Sequence, residues 1–74
     1  MERLEVFHER LLLARRRRGM SQEALAEKAG LFKTDISKYE RGQSQPTLPR
    51  LRRLIEALGV SADYLLGLKE EEKP

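Results

Sequence analysis

Lys33, Thr34, Ser37, Lys38 and Arg41 recur at steps of one, three and four. A helix through this stretch would carry them on one polar side and leave Ile36 and Tyr39 on the other. Such a row holds positive charge and can donate and accept hydrogen bonds. The chain around it offers little for catalysis: there is no cysteine and a single histidine, His8. A thiol nucleophile, a thiolate zinc site and a paired-histidine centre are therefore excluded. The five glycines fall where helical patterns stop and form no phosphate-cradling loop. The chemistry open to the row is recognition, and the chain is expected to be no enzyme and to need no metal and no cofactor. Lysine can donate to guanine O6 and N7, and serine and threonine can donate, accept or meet a thymine methyl. Either lysine can instead bind phosphate, which would carry no sequence information.

Five helical patterns position this row. From Leu4 to Arg18, residues Leu4, Phe7, Leu11 and Ala14 form one apolar stripe, and Gly19 stops the helix. A second helix starts at an N-cap Ser21, with Met20 stapled onto Leu25, and ends at Gly30. The short connection Gly30, Leu31, Phe32 predicts a sharp angle into a third helix, Lys33 to Arg41, which Gly42 stops. Phe32 is a poor cap, and Asp35 compensates through the helix dipole. A fourth helix follows Thr47, with Leu48, Leu51, Leu54, Ile55 and Leu58 as its core stripe and Arg50, Arg53 and Glu56 facing out. Ser61 caps a fifth, single-turn segment to about Leu66, and Gly67 closes the domain. The expected organisation is one domain over residues 1–67 and a short polar, frayed tail over 68–74.

Composition limits the partners. The chain carries 15 basic and 12 acidic residues, a net charge of +3. Its last seven residues hold two lysines and three glutamates, so residues 1–67 carry +4. Ten of the basic residues are arginine, whose planar fork suits phosphate. This balance permits nucleic acid and equally suits a charged, well-solvated surface. Of Arg15 to Arg18, at the end of the first helix, one or two are expected to touch phosphate, since four consecutive residues fan around a helix. His8 reads as an ordinary surface residue. No apolar run is long enough to cross a bilayer and no secretory pattern opens the chain, so a cytoplasmic setting is expected.

Taken together, these residues resemble the lambda-repressor-like, Cro/C1-type (Xre family) helix-turn-helix domains from Leu4 to Gly67. The motifs that carry the resemblance are Met20 to Ala26, Ala29-Gly30, Ile36 to Gly42, Pro46-Thr47-Leu48 and Ala57 to Ser61. The resemblance implies an all-α, five-helix bundle whose third helix enters the major groove of double-stranded DNA. On it, Lys33, Thr34, Ser37 and Lys38 match base-contacting positions, while Gln22, Arg41 and Gln43 match backbone contacts. It also implies a structural ion pair between Arg15 and Glu40, because an unpaired acid on the inner side of that helix would be unfavourable. Tyr39 belongs to the core.

Two residues depart from the family pattern. Phe32 stands where a small polar cap is usual, free to pack on a helix or to meet sugar and thymine methyl groups. Asp35 could cap the helix, accept from a cytosine amino group or repel phosphate, and the cap is favoured. The function implied is a sequence-specific DNA-binding transcriptional regulator, a repressor binding a palindromic operator as a homodimer. The alternative is a protein-interaction module, such as an antitoxin or adaptor, built on the same fold and using Leu12, Leu13 and the tail. Nothing in the sequence names a small-molecule effector.

Overall fold

Three of the five helices begin at a hydroxyl cap and stop at or just before a glycine, and that punctuation sets the architecture. The computed structural model describes residues 4–74, with side chains from Val6 onward. It contains α1 (Leu4–Arg17), α2 (Gln22–Ala29), α3 (Lys33–Glu40), α4 (Leu48–Leu58) and α5 (Ala62–Leu65), with no strand among the described residues. Ser21, Thr47 and Ser61 each accept a hydrogen bond from the backbone N–H three residues on, satisfying a donor that the first turn leaves free. The expected place of the Leu4 side chain in the first stripe lies outside the described residues.

The α2–α3 corner is closed by Gly30, which adopts a left-handed conformation with φ 71°. Its N–H donates to the Glu27 carbonyl at 3.2 Å, and the Leu31 N–H donates to the Ala26 carbonyl at 2.8 Å. This paired C-terminal motif turns the chain within three residues and swings Leu31 back onto the core. α2 packs on α3 and α4, and α1 packs on α3 and α5. Leu11, Leu25, Ile36, Leu54, Leu65 and Val60 are the fully buried large side chains, one from each helix and Val60 from the α4–α5 connection. Ala26 and Ala29 are buried where α3 crosses α2, and their small side chains permit the close approach.

Several expectations change. α1 and α3 each end one residue sooner, at Arg17 and Glu40. Leu48 fits the α4 stripe by spacing, yet it is 79% exposed. It is the first helical residue, and helix side chains lean toward the N-terminus, so Leu48 points back past the start of α4 and beyond the core. His8 is half-buried: its ring lies so close to Gly42 that a Cβ there would sit 3.0 Å from Cδ2.

The tail is not frayed. The Ser61 N–H donates to the Glu72 carbonyl at 2.7 Å, and the Glu72 carboxylate accepts from Arg18 Nη1 at 2.7 Å and from Arg17. Hydrogen bonding from Arg18, with help from Arg17 and against the cost of desolvation, holds the Glu72 carboxyl below its ordinary pKa. Arg18 also donates to the Leu58 and Ala14 carbonyls. On the same side Arg10 donates to the Tyr64 carbonyl at 2.8 Å and to Glu70 at 3.1 Å, with its guanidinium 4.6 Å from the Tyr64 ring centre. The contacts of Arg10 with Tyr64 and Glu70, and of Arg17 and Arg18 with Glu72, join residues more than fifty positions apart, which local spacing does not reveal.

Candidate nucleic-acid interface

The site is built on α3, and its two faces have different tasks. On the inner face Ile36, Tyr39 and Glu40 are buried. Glu40 is 8% exposed, and a carboxylate so placed needs full hydrogen bonding to remain charged. Arg15 provides it through both forks, Nε to Oε2 at 2.6 Å and Nη2 to Oε1 at 3.1 Å. The remaining Arg15 nitrogen, Nη1, donates to the Met20 carbonyl at 2.7 Å. Gln22 Nε2 adds a bond to Glu40 Oε1 at 3.0 Å. One carboxylate thus ties α1, the start of α2 and the end of α3 together, with no buried side-chain polar atom left unpartnered among the described residues.

On the outer face Lys33, Thr34 and Lys38 are exposed and Ser37 is half-buried. Lys33 and Lys38 lie about 140° apart around the helix and diverge toward opposite edges of the row. Arg41 is exposed, and its Nε approaches the Ser37 carbonyl at 3.4 Å. Gln43 is fixed by its backbone: its N–H donates to the Lys38 carbonyl at 2.9 Å, while Gly42, at φ 74°, donates to Tyr39 at 3.2 Å. The helix end therefore closes with Gln43 beneath Lys38 and Arg41 beside Ser37. Gln22 stands apart from this row, at the start of α2, joined to it through Glu40.

The N-terminus of α3 solves its capping problem from within. Phe32 has no acceptor, and its N–H instead donates to the Asp35 carboxylate at 3.0 Å. Asp35 also lies 3.6 Å from Arg50, whose Nη1 donates to the Tyr39 hydroxyl at 3.1 Å. The acid at this end of the helix is thereby engaged twice. Arg50 and Arg53 are exposed, as expected, but Arg50 also braces α4 against α3, and Arg53 Nη1 reaches the Gly30 carbonyl at 3.5 Å. Helical spacing put both arginines on the outer side of α4, and only the crossing of α4 over the α2–α3 corner brings them here.

The arginine run divides. Arg15 is buried against Glu40, and Arg17 and Arg18 meet the tail. Arg16 alone of the four is exposed without a hydrogen bond or ion pair among the described residues. Among the described residues Lys33 and Lys38 on α3 are likewise exposed without a side-chain partner, as are Lys28 on α2 and Lys73 in the tail.

Two short packed helices joined by a tight glycine turn, with a polar outer row fixed from behind by a buried acid, define a helix-turn-helix domain. Residues 11–65 match the helix-turn-helix family, and the chain belongs to it, in its Cro/C1-type branch of DNA-binding transcription regulators. It is 41% identical over 61 residues to the SPbeta prophage-derived transcriptional regulator YonR of Bacillus subtilis, matching 82% of this chain and 56% of that one. The chain thus spans a little over half the length of that relative. Among solved structures it resembles the restriction-modification controller protein C.AhdI from Aeromonas hydrophila, with TM-score 0.79, 35% identity and coverage of 84% of this chain and 94% of that one. It resembles equally the P22 c2 repressor in complex with a synthetic operator, with TM-score 0.81, 33% identity and coverage of 85% and 96%.

Proposed function

We propose that this chain is a sequence-specific DNA-binding transcriptional regulator, a repressor that binds a palindromic operator as a homodimer. The observation that carries the reading is the division of α3: its inner residues are fully engaged, while Lys33, Thr34 and Lys38 on its outer face are exposed with no competing side-chain hydrogen bond among the described residues. In this reading α3 lies in the major groove, where Lys33, Thr34, Ser37 and Lys38 reach base edges. Gln22 uses one amide hydrogen for Glu40 and has a second for a phosphate. Arg41 and Gln43 meet the backbone on the far side of the groove. The unit that does this is residues 1–67, with residues 68–74 folded against it.

The P22 c2 repressor was solved on its operator, and the likeness of that structure to this chain supports DNA as the partner. Exposed Leu13, Leu66 and Leu68 supply apolar surface for a second copy, which would place two α3 helices about one helical turn apart on DNA. The working compartment is then the cytoplasm, and no helix among the described residues is long and apolar enough to cross a membrane.

Selection of bound sequences from random DNA tests the proposal. Enrichment of a symmetric motif, with affinity falling steeply as salt rises, is the expected result. Enrichment of nothing, with salt-insensitive binding of a protein partner, would instead favour an interaction module using the same leucines.

A further inference from the structure

We propose that Phe32 is a specificity-determining residue that reads a thymine by packing its ring on the C5-methyl group. Phe32 is 77% exposed, the largest apolar side chain so placed beside the outer row of α3. Its backbone is extended, φ −100° and ψ 152°, and is held on both sides. The N–H donates to Asp35, while the carbonyl accepts from the Asp35 N–H at 2.9 Å and the Ile36 N–H at 3.3 Å. Leu31, one residue earlier, packs on the core, and in extended backbone the next side chain points the opposite way. Phe32 is therefore aimed outward from a fixed point next to Lys33.

The exchange of cap and aromatic gives this placement its meaning. A serine, threonine, aspartate or asparagine at position 32 would cap α3 with its own side chain. Here the Asp35 carboxylate takes the Phe32 N–H, the Asp35 N–H turns to the Phe32 carbonyl at 2.9 Å, and Arg50 at 3.6 Å offsets the carboxylate charge. The position ahead of α3 is thus released from capping and given to an apolar ring. The surroundings decide what the ring meets. Lys33 follows it in sequence and is exposed, and Arg53 approaches the Gly30 carbonyl two residues before it, so the chain on both sides of Phe32 carries a cation. Cations around an exposed aromatic suit an anionic polymer and disfavour an apolar protein face. The N-terminal residues of a recognition helix are those that meet base edges, and on a major-groove edge the apolar group is the thymine methyl.

The inference rests on the DNA-binding reading, and its test separates the two. After selection, each thymine of the enriched half-site is replaced in turn by deoxyuridine, which removes only the methyl group. Affinity is then measured for the wild-type chain and for Phe32→Ser, whose fold is checked by its melting curve. At one position the wild type should lose roughly fourfold per half-site, the factor that one buried methyl-sized group carries. Phe32→Ser should lose less than twofold at that position and should relax the preference for thymine there. If both proteins respond alike to every replacement, or if Phe32→Ser weakens all sequences uniformly, the ring reads no methyl and the proposal falls while DNA binding stands. If the wild type enriches no sequence at all, both readings fall together.

Discussion

Arg15 and Lys38 are both cations near α3, and their surroundings give them opposite tasks. Arg15 is buried in a two-pronged pair with Glu40, so its removal leaves an unpaired carboxylate in the interior. Arg15→Ala should cost about 3 to 5 kcal/mol of folding stability, measured by urea denaturation. A stability within experimental scatter of the wild type would mean that Glu40 finds water or another donor. Lys38 is exposed, and Lys38→Ala should leave stability unchanged while lowering affinity for the selected DNA by about 1 to 3 kcal/mol. A loss confined to one base position marks a base contact, whereas an equal loss on every sequence demotes Lys38 to phosphate. The outer row could be read from sequence because helical spacing alone separates it from Ile36 and Tyr39. Arg50 could not, because its partners Tyr39 and Asp35 lie on another helix and its own spacing points to solvent.

At the scale of elements, the helix ends carry the design. Gly42 and Gly59 are both left-handed, at φ 74° and 70°, but a Cβ on Gly59 would meet nothing within 4 Å whereas one on Gly42 would press on the His8 ring. Gly59→Ala should cost about 1 to 2 kcal/mol, the ordinary penalty for this conformation. Gly42→Ala should cost more, and His8→Ala in the same chain should recover the difference. If the two glycine variants unfold at the same denaturant concentration, the His8 contact contributes nothing. Helix number, order and caps were legible because hydroxyl caps and stop glycines are local signals, readable at Ser21, Gly30, Thr47, Gly59 and Ser61. Leu48 was misread for a reason of the same scale: periodicity assigns a face, but not whether a neighbouring helix extends far enough to cover the first turn.

For the molecule as a whole, the tail and α1 close a loop of charge that sequence spacing hides, since Arg17 and Arg18 meet Glu72 across more than fifty residues. The folded-state pKa of Glu72 is lowered, so its contribution is fully present above the ordinary value of 4.5 and is lost as pH falls through the lower folded value. Glu72→Gln should therefore melt a few degrees below the wild type at neutral pH, and the gap should close in acid once the wild-type carboxyl is protonated. A gap that persists unchanged into acid would assign the effect to packing. The split of α3 into a held face and an open face reaches beyond any one operator. Ile36, Tyr39 and Glu40 fix where the helix sits, and Lys33, Thr34 and Lys38 bear no structural duty. If the proposed DNA reading holds, a lineage carrying this domain can rewrite its address on the genome by changing a handful of letters, with the folding of the protein left untouched.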